Sequence, residues 1–495
     1  MNSRTSFMVI AIFLLAASGF FGGCGSGGSS KRPVPVIQNI NSSTTPTSPV
    51  GLPIEINGSG FQAAPGKVNF KQGSTSIDFT PAASAWSDTG AVAVVPATLT
   101  APGTVSVTVV TSGGTSNAVT LNFVSTITFN PSKMLWSTTM ALPKSITGLR
   151  AVGVPGNSST GAFAVVTGGF DGTANANTVW ANNLNQDGTV GNTTNTTWTT
   201  ITTNPLPTTL AHHAMAEADD TNSLVAAGKR FVYVVGGQVN STDVGGANTV
   251  YVASVDSTAG TVGTWAASPN TLPQPLLGLT ATVHNGFLYV AGGLNTTGTP
   301  VNAVYSAPVN SDGTIGTWTT ATNTLPTARA FGTMVVFGGI IYYVDGDPNA
   351  SIPPNNQGVG DKDVVFASAV RGAIGTWTLN ANLTIHDRAK GVLFAAFGQF
   401  IAGEGIYSGS PGSGETETST VNAQNTTNAA LNSWTGLTGT TDPSANVYNA
   451  AGFTSPLFAP TTNGPRFLLL GGQAFTGATG AGGALSSTVH VNTAP

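Results

Sequence analysis

The chain has 495 residues and a formal net charge of −4, and only 7% of its residues are charged, against about 25% in an average soluble protein. It holds no basic block to neutralise phosphates, which excludes nucleic acid as a partner; its 40% hydrophobic content, set in short periodic runs, excludes a disordered chain. The single cysteine, Cys24, excludes an intrachain disulfide, a CxxC site and a cysteine nucleophile in the folded body.

Residues 1–23 read as a secretion signal. Arg4 supplies the positive start, and Phe7–Phe21 supplies an apolar core too short for a comfortable membrane span. The stretch Phe21-Gly22-Gly23-Cys24 resembles a bacterial lipobox. That resemblance implies lipidation of Cys24 and an exported protein of the cell envelope, anchored at the outer membrane or cell surface. An ordinary signal peptide with an incidental cysteine is the alternative. Residues 24–32 (CGSGGSSKR) are a flexible tether.

Residues 33–126 read as a first all-β unit. Candidate strands are Pro53–Asn57, Gly66–Phe70, Ala91–Pro96, Thr104–Val110 and Ala118–Phe123. This many short strands in so few residues predict a small β-sandwich. The segments Pro35-Val36-Ile37 and Leu52–Phe61 (LPIEINGSGF), followed by VAVVP and GTVSVTV, resemble the IPT/TIG family of immunoglobulin-like domains. The glycines of the GSGF turn permit positive φ, and Phe61 is expected to plug one end of the sandwich. The resemblance implies a spacer or adhesion module.

Residues 127–495 repeat. Trp136, Trp198, Trp265, Trp318, Trp377 and Trp434 recur every 53 to 67 residues, and Leu-Pro follows the first four. Between them stands an apolar strand ending in glycine, such as FAVVTGG, FVYVVGG and FLYVAGG, and then a further strand. The apolar strand is expected to be buried on both faces, and the glycines to admit close packing. Six copies of a four-stranded unit predict a six-bladed β-propeller. The order of strands predicts closure by the Trp136 strand, pairing with the strand near Thr488–Asn492, which leaves no open edge. The di-glycine, Trp, Leu-Pro and Arg pattern, best in Tyr289, Gly292-Gly293, Tyr305, Trp318, Leu325-Pro326 and Arg329, resembles the kelch family. Arginine stands at only two of the repeats, as Arg329 and Arg388; Ile146, Leu210 and Leu276 replace it elsewhere.

Strand alternation sends the longer loops and the repeat-to-repeat links to one face. The ligand-binding candidates on it are Arg329, Arg388, His386, Asp387, His212 and His213, with arginine as fork donor to an anion or a sugar hydroxyl. Packing between repeats is the competing role for the arginines. Asp345, Asp347 and Asn349 have the oxygen spacing of the start of a calcium loop, although Ala350 and Asn356 replace the glycine and glutamate such a loop needs. No other cofactor is expected. No G-x-S-x-G, H-E-x-x-H or Walker loop occurs. The expected function is a non-enzymatic envelope module that binds glycan or protein. A glycosidase or lyase using a carboxylate pair at the central mouth is the alternative, as is a purely structural envelope part.

Overall fold

The computed structural model describes residues 32–493 except 42–45, 49, 124–130, 132–133, 157–161, 192–195, 220–224, 257–259, 351–361, 397, 407–416, 421–429, 438–446, 457–464 and 475–482. The signal segment, Cys24 and all of the tether but Arg32 lie outside the described residues. What is described is essentially all β.

Two sheets form the first domain. One orders Val36–Ile40, Pro53–Ser59, Gly90–Val94 and Trp86–Ser87; the other is built around Gly103–Thr111, Val119–Phe123 and Lys67–Gln72. Period-two alternation sends Ile54, Ile56, Phe70, Val105 and Val107 into the space between them. Phe61 is wholly buried there against Trp86, at a ring separation of 5.7 Å. Gly58 must lack a side chain, because a Cβ would stand 2.0 Å from the Val36 carbonyl oxygen.

Among the described residues the rest of the chain forms a two-stranded pair of Val447–Tyr448 with Gln473–Ala474 and six sheets of four or five strands, numbered here one to six in chain order. Their first strands are Arg150–Pro155, Ala214–Asp219, Thr280–His284, Thr333–Phe337, Val392–Ala396 and Ala451–Thr454. The second strands are the apolar, glycine-ended segments of the repeat; Ala162–Thr167, Arg230–Val235 and Ile340–Val344 are buried at every position. The strand Leu135–Thr138, which carries Trp136, pairs antiparallel with Val489–Thr493 and completes sheet six from the far end of the chain.

Neighbouring first strands contact one another from sheet one through sheet six, and sheet six returns to sheet one. Backbone hydrogen bonds follow the same circuit. The N–H groups of His212, Gly278, Phe331, Lys390 and Asn449 each donate to the carbonyl of the preceding member, beginning with Gly148, and Gly148 N–H donates to Asn449, all at 2.7–2.9 Å. Each of these six residues has a left-handed φ, in circuit order +64°, +53°, +63°, +58°, +60° and +55°. That conformation turns each link so its N–H and C=O point to opposite neighbours. A second circuit lies beside it. Gly169, Gly237, Gly293, Gly346, Gly405 and Gly472 donate to the carbonyls of Leu210, Leu276, Arg329, Arg388, Val447 and Ile146.

Three of the tryptophans bind sheet to sheet through their indole nitrogens. The indole N–H of Trp198 donates to the Met140 carbonyl, that of Trp318 to Asn270 and that of Trp377 to Asn323, at 3.1 Å each. Every acceptor lies just after the preceding tryptophan strand and just before its Leu exit. At these three the ring covers apolar area while its one donor finds a carbonyl in the neighbouring sheet.

The first domain packs on the short-turn side of sheets three, four and five. Leu52 and Val92 join the core formed by Ile340, Tyr342 and Phe400. The turn Gly338-Gly339 lies so close under Pro53 that a Cβ on Gly338 would stand 2.2 Å from its carbonyl oxygen. The strand Pro53–Ser59 is therefore buried on both faces, by its own sandwich and by the sheets.

Candidate functional site

The six left-handed link residues stand two positions before the six first strands, so they converge around the common axis. There the first strands open into a cavity of about 130 Å³. Among the described residues its only charged lining residues are Arg150 and Lys390; Thr280, Thr333 and Asn449 supply further polar groups, and Phe331 forms part of the wall. Lys390 Nζ lies 4.9 Å from the centre of the Phe331 ring, a cation–π contact. The Arg150 guanidinium donates to its neighbour's carbonyl, Leu149, at 2.8 Å. Neither cation has a carboxylate within ion-pair distance among the described residues.

Burial sets the electrostatics. It lowers the Lys390 pKa to about 8, with the Asp347 carboxylate opposing the shift, and lowers Arg150 to about 10. His212 packs edge-on to Phe331 at 5.6 Å. Burial pushes it down to about 3, and Lys390 and Arg150 push the same way. His213 is also held well below its ordinary value by burial, and its Nε2 meets the Thr167 hydroxyl at 2.8 Å. The two histidines are thus neutral, and the two cations carry the charge of the axial end.

Arg329 and Arg388 lie elsewhere. Their side chains are wholly buried between sheets, in the slot that Ile146, Leu210, Leu276 and Val447 fill in the other repeats. Arg329 donates to Asp363 Oδ2 at 3.0 Å and to the Asp345 carbonyl at 3.3 Å. Arg388 Nη1 lies 3.6 Å from Asp345 Oδ2. Asp345 occupies the first glycine position of sheet four, at φ +60°, and also accepts from the Thr384 hydroxyl at 2.7 Å. This geometry gives both arginines an intramolecular role and turns them away from solvent. Asp387 is buried beside Arg388, while His386 is half-buried and its carbonyl accepts from Thr384.

The calcium-loop candidates Asp345, Asp347 and Asn349 have separate protein partners. Asp345 faces Arg388 and Thr384, Asp347 accepts from the Asn349 N–H of its own turn at 2.7 Å, and Asn349 is exposed. Among the described residues no group of three or more His, Cys, Asp or Glu could hold a metal ion.

Sequence reasoning found His212 but missed its counterparts. Superposing the six links by their distance from the following strand would have aligned Gly148, His212, Gly278, Phe331, Lys390 and Asn449. That alignment puts Lys390 at the centre, two residues beyond the more conspicuous Arg388.

No curated protein matches the chain. A solved structure described as "Structure of YjhT" is similar at 14% identity, covering 72% of this chain and 97% of that one, with a TM-score of 0.46. Residues 35–123 match the IPT/TIG domain family. The two packed sheets of residues 36–123 and the match agree, and the first domain is an IPT/TIG domain of immunoglobulin-like fold.

Proposed function

We propose that the protein is an exported, lipid-anchored binding module: an IPT/TIG domain fixed to a six-bladed, kelch-type β-propeller whose ligand enters the axial cavity. The propeller reading is supported by the closed circuit of six backbone hydrogen bonds and by the completion of sheet six from both chain ends. The observation that carries the binding reading is the cavity at the centre of that circuit, with charged groups not consumed by ion pairs. The IPT/TIG domain covers the short-turn side, so the tether would leave the cavity end facing away from the membrane, toward a glycan or an envelope protein.

Binding is favoured over glycoside hydrolysis by the lining itself. Hydrolysis needs two carboxyl groups flanking the scissile bond, and among the described residues no Asp or Glu lines the cavity. The test is a screen of envelope glycans, their small fragments and envelope proteins against the full chain, repeated with Thr333→Trp to fill the cavity. Binding that Thr333→Trp abolishes supports the axial site; binding that survives it places the site elsewhere. Membrane fractionation of Cys24→Ser tests the anchor.

A further inference from the structure

We infer that the axial cavity is a receptor for a compact oxyanion, a carboxylate or phosphate group held between the Arg150 fork and the Lys390 ammonium. The inference rests on the axial site proposed above and names its ligand chemistry.

The first argument is charge balance. Two wholly buried cations elsewhere are paired, Arg329 with Asp363 and Arg388 with Asp345. At the axis the fold brings two cations to one cavity, and among the described residues neither has a carboxylate within ion-pair distance, Asp347 acting on Lys390 only from farther off. Bringing like charges together in a confined space is unfavourable unless an anion completes the set. The second argument is position. Lys390 is held by its backbone in the hydrogen-bond circuit and by its ammonium over the Phe331 ring. Its charge is thus fixed by the fold and is not a mobile surface charge. The third is geometry of donors: a guanidinium offers two parallel N–H groups that suit the two oxygens of a carboxylate or phosphate, and Thr280, Thr333 and Asn449 line the same space for the remaining oxygens. The fourth is size. A cavity of about 130 Å³ admits an oxyanion with a few further heavy atoms, or the acidic end of a larger ligand entering from the mouth.

Protonation supports the same assignment. The groups that face Lys390 are Arg150, His212 and Asp347. With His212 neutral across the physiological range, Lys390 is the group whose charge changes near pH 8. Oxyanion affinity is then expected to fall as pH rises from 7 to 9.

The experiment is calorimetric titration of the full chain in detergent with inorganic phosphate, with acetate and with neutral acetamide, at pH 7 and pH 9. The expected result is saturable binding of phosphate or acetate, none of acetamide, and acetate binding weakened by up to about tenfold at pH 9. Phosphate alone or acetate alone identifies which oxyanion the site takes. Lys390→Met and Arg150→Gln are each expected to weaken binding at least tenfold, while Lys390→Arg retains it. Lys390→Met removes a desolvated charge, so it is expected to fold. Saturation by neither anion, or equal affinity in wild type and Lys390→Met, overturns the inference. If a neutral ligand from the screen binds and Thr333→Trp abolishes it while neither anion binds, the axial site stands and only the oxyanion assignment fails.

Discussion

The Glu55 carboxylate lies 2.5 Å from His284 Nε2, across the boundary between the IPT/TIG domain and the first strand of sheet three. Its other oxygen accepts from the Asn285 side chain at 2.7 Å, and Asn285 also donates to Asn57 at 2.7 Å. Glu55 is wholly buried. A carboxylate in such a place is stable only while its partners stay in register, so it ties the sandwich to one hairpin in one orientation. The domain is therefore held against the sheets by a polar contact as well as by apolar packing.

Glu55→Ala is expected to cost about 3 kcal/mol, since it leaves the half-buried Asn285 and His284 without their shared acceptor. Urea unfolding measures the loss. Limited proteolysis should release the IPT/TIG domain faster as it loosens from the sheets. Unchanged stability together with unchanged proteolysis would show that the apolar contacts at Leu52 and Val92 alone hold the domains.

Arg388→Ala is expected to destabilise the fold by about 3–5 kcal/mol, as breaking a buried ion pair does, and to leave the axial cavity's ligand preference unchanged. The double variant Arg388→Leu/Asp345→Gly restores the aliphatic and glycine pattern of the other sheets. It should recover most of that loss. Failure of the double variant to exceed Arg388→Leu in stability would refute the slot equivalence.

Gly168 and Gly73 make a matched pair at φ +58°. A Cβ on Gly168 would stand 2.4 Å from the Leu210 carbonyl oxygen, whereas nothing lies within 4 Å of one on Gly73. Gly73→Ala is expected to cost about 1 kcal/mol, the price of the left-handed backbone alone. Gly168→Ala should cost about 3 kcal/mol or more, because the second circuit of sheet-to-sheet bonds must shift. Equal losses in thermal unfolding would sink the close-packing explanation of the paired glycines.

Acid should weaken the protein through its buried histidines. His212 is held near 3 in the folded state against 6.5 unfolded. The folded value is depressed, so the stability is fully present above pH 6.5 and is lost as pH falls toward 3. At pH 5 the loss is about 2 kcal/mol for His212, and His213 adds to it in the same direction. His212→Asn, which keeps a residue tolerant of left-handed φ, should flatten the dependence of melting temperature on pH between 7 and 5. An unaltered slope would assign the acid sensitivity to other groups.

Strand positions were legible in the sequence because their cause is local. Alternation in LTATVH, the continuous apolar run of IIYYV and the Asn285-Gly286 turn each state a period or a φ requirement within a few residues. The tryptophan beat was legible for the same reason, since every sheet must cover its neighbour at the same place. The buried roles of Arg329 and Arg388 were not, because a long charged side chain can reach either solvent or a partner 16 to 43 positions away, and only the fold supplied Asp345 and Asp363. The IPT/TIG sequence likewise specified a sandwich but not where its outer face would dock. Lys390 shows the division most clearly. Its sequence neighbours give it no distinction, and its charge matters only because six links, far apart in the chain, turn their left-handed residues toward one axis. Local sequence determined the strands, turns and repeat; the tertiary structure alone decided which charges were paired and which two met in the cavity, because pairing depends on distances through space that the order of residues does not contain.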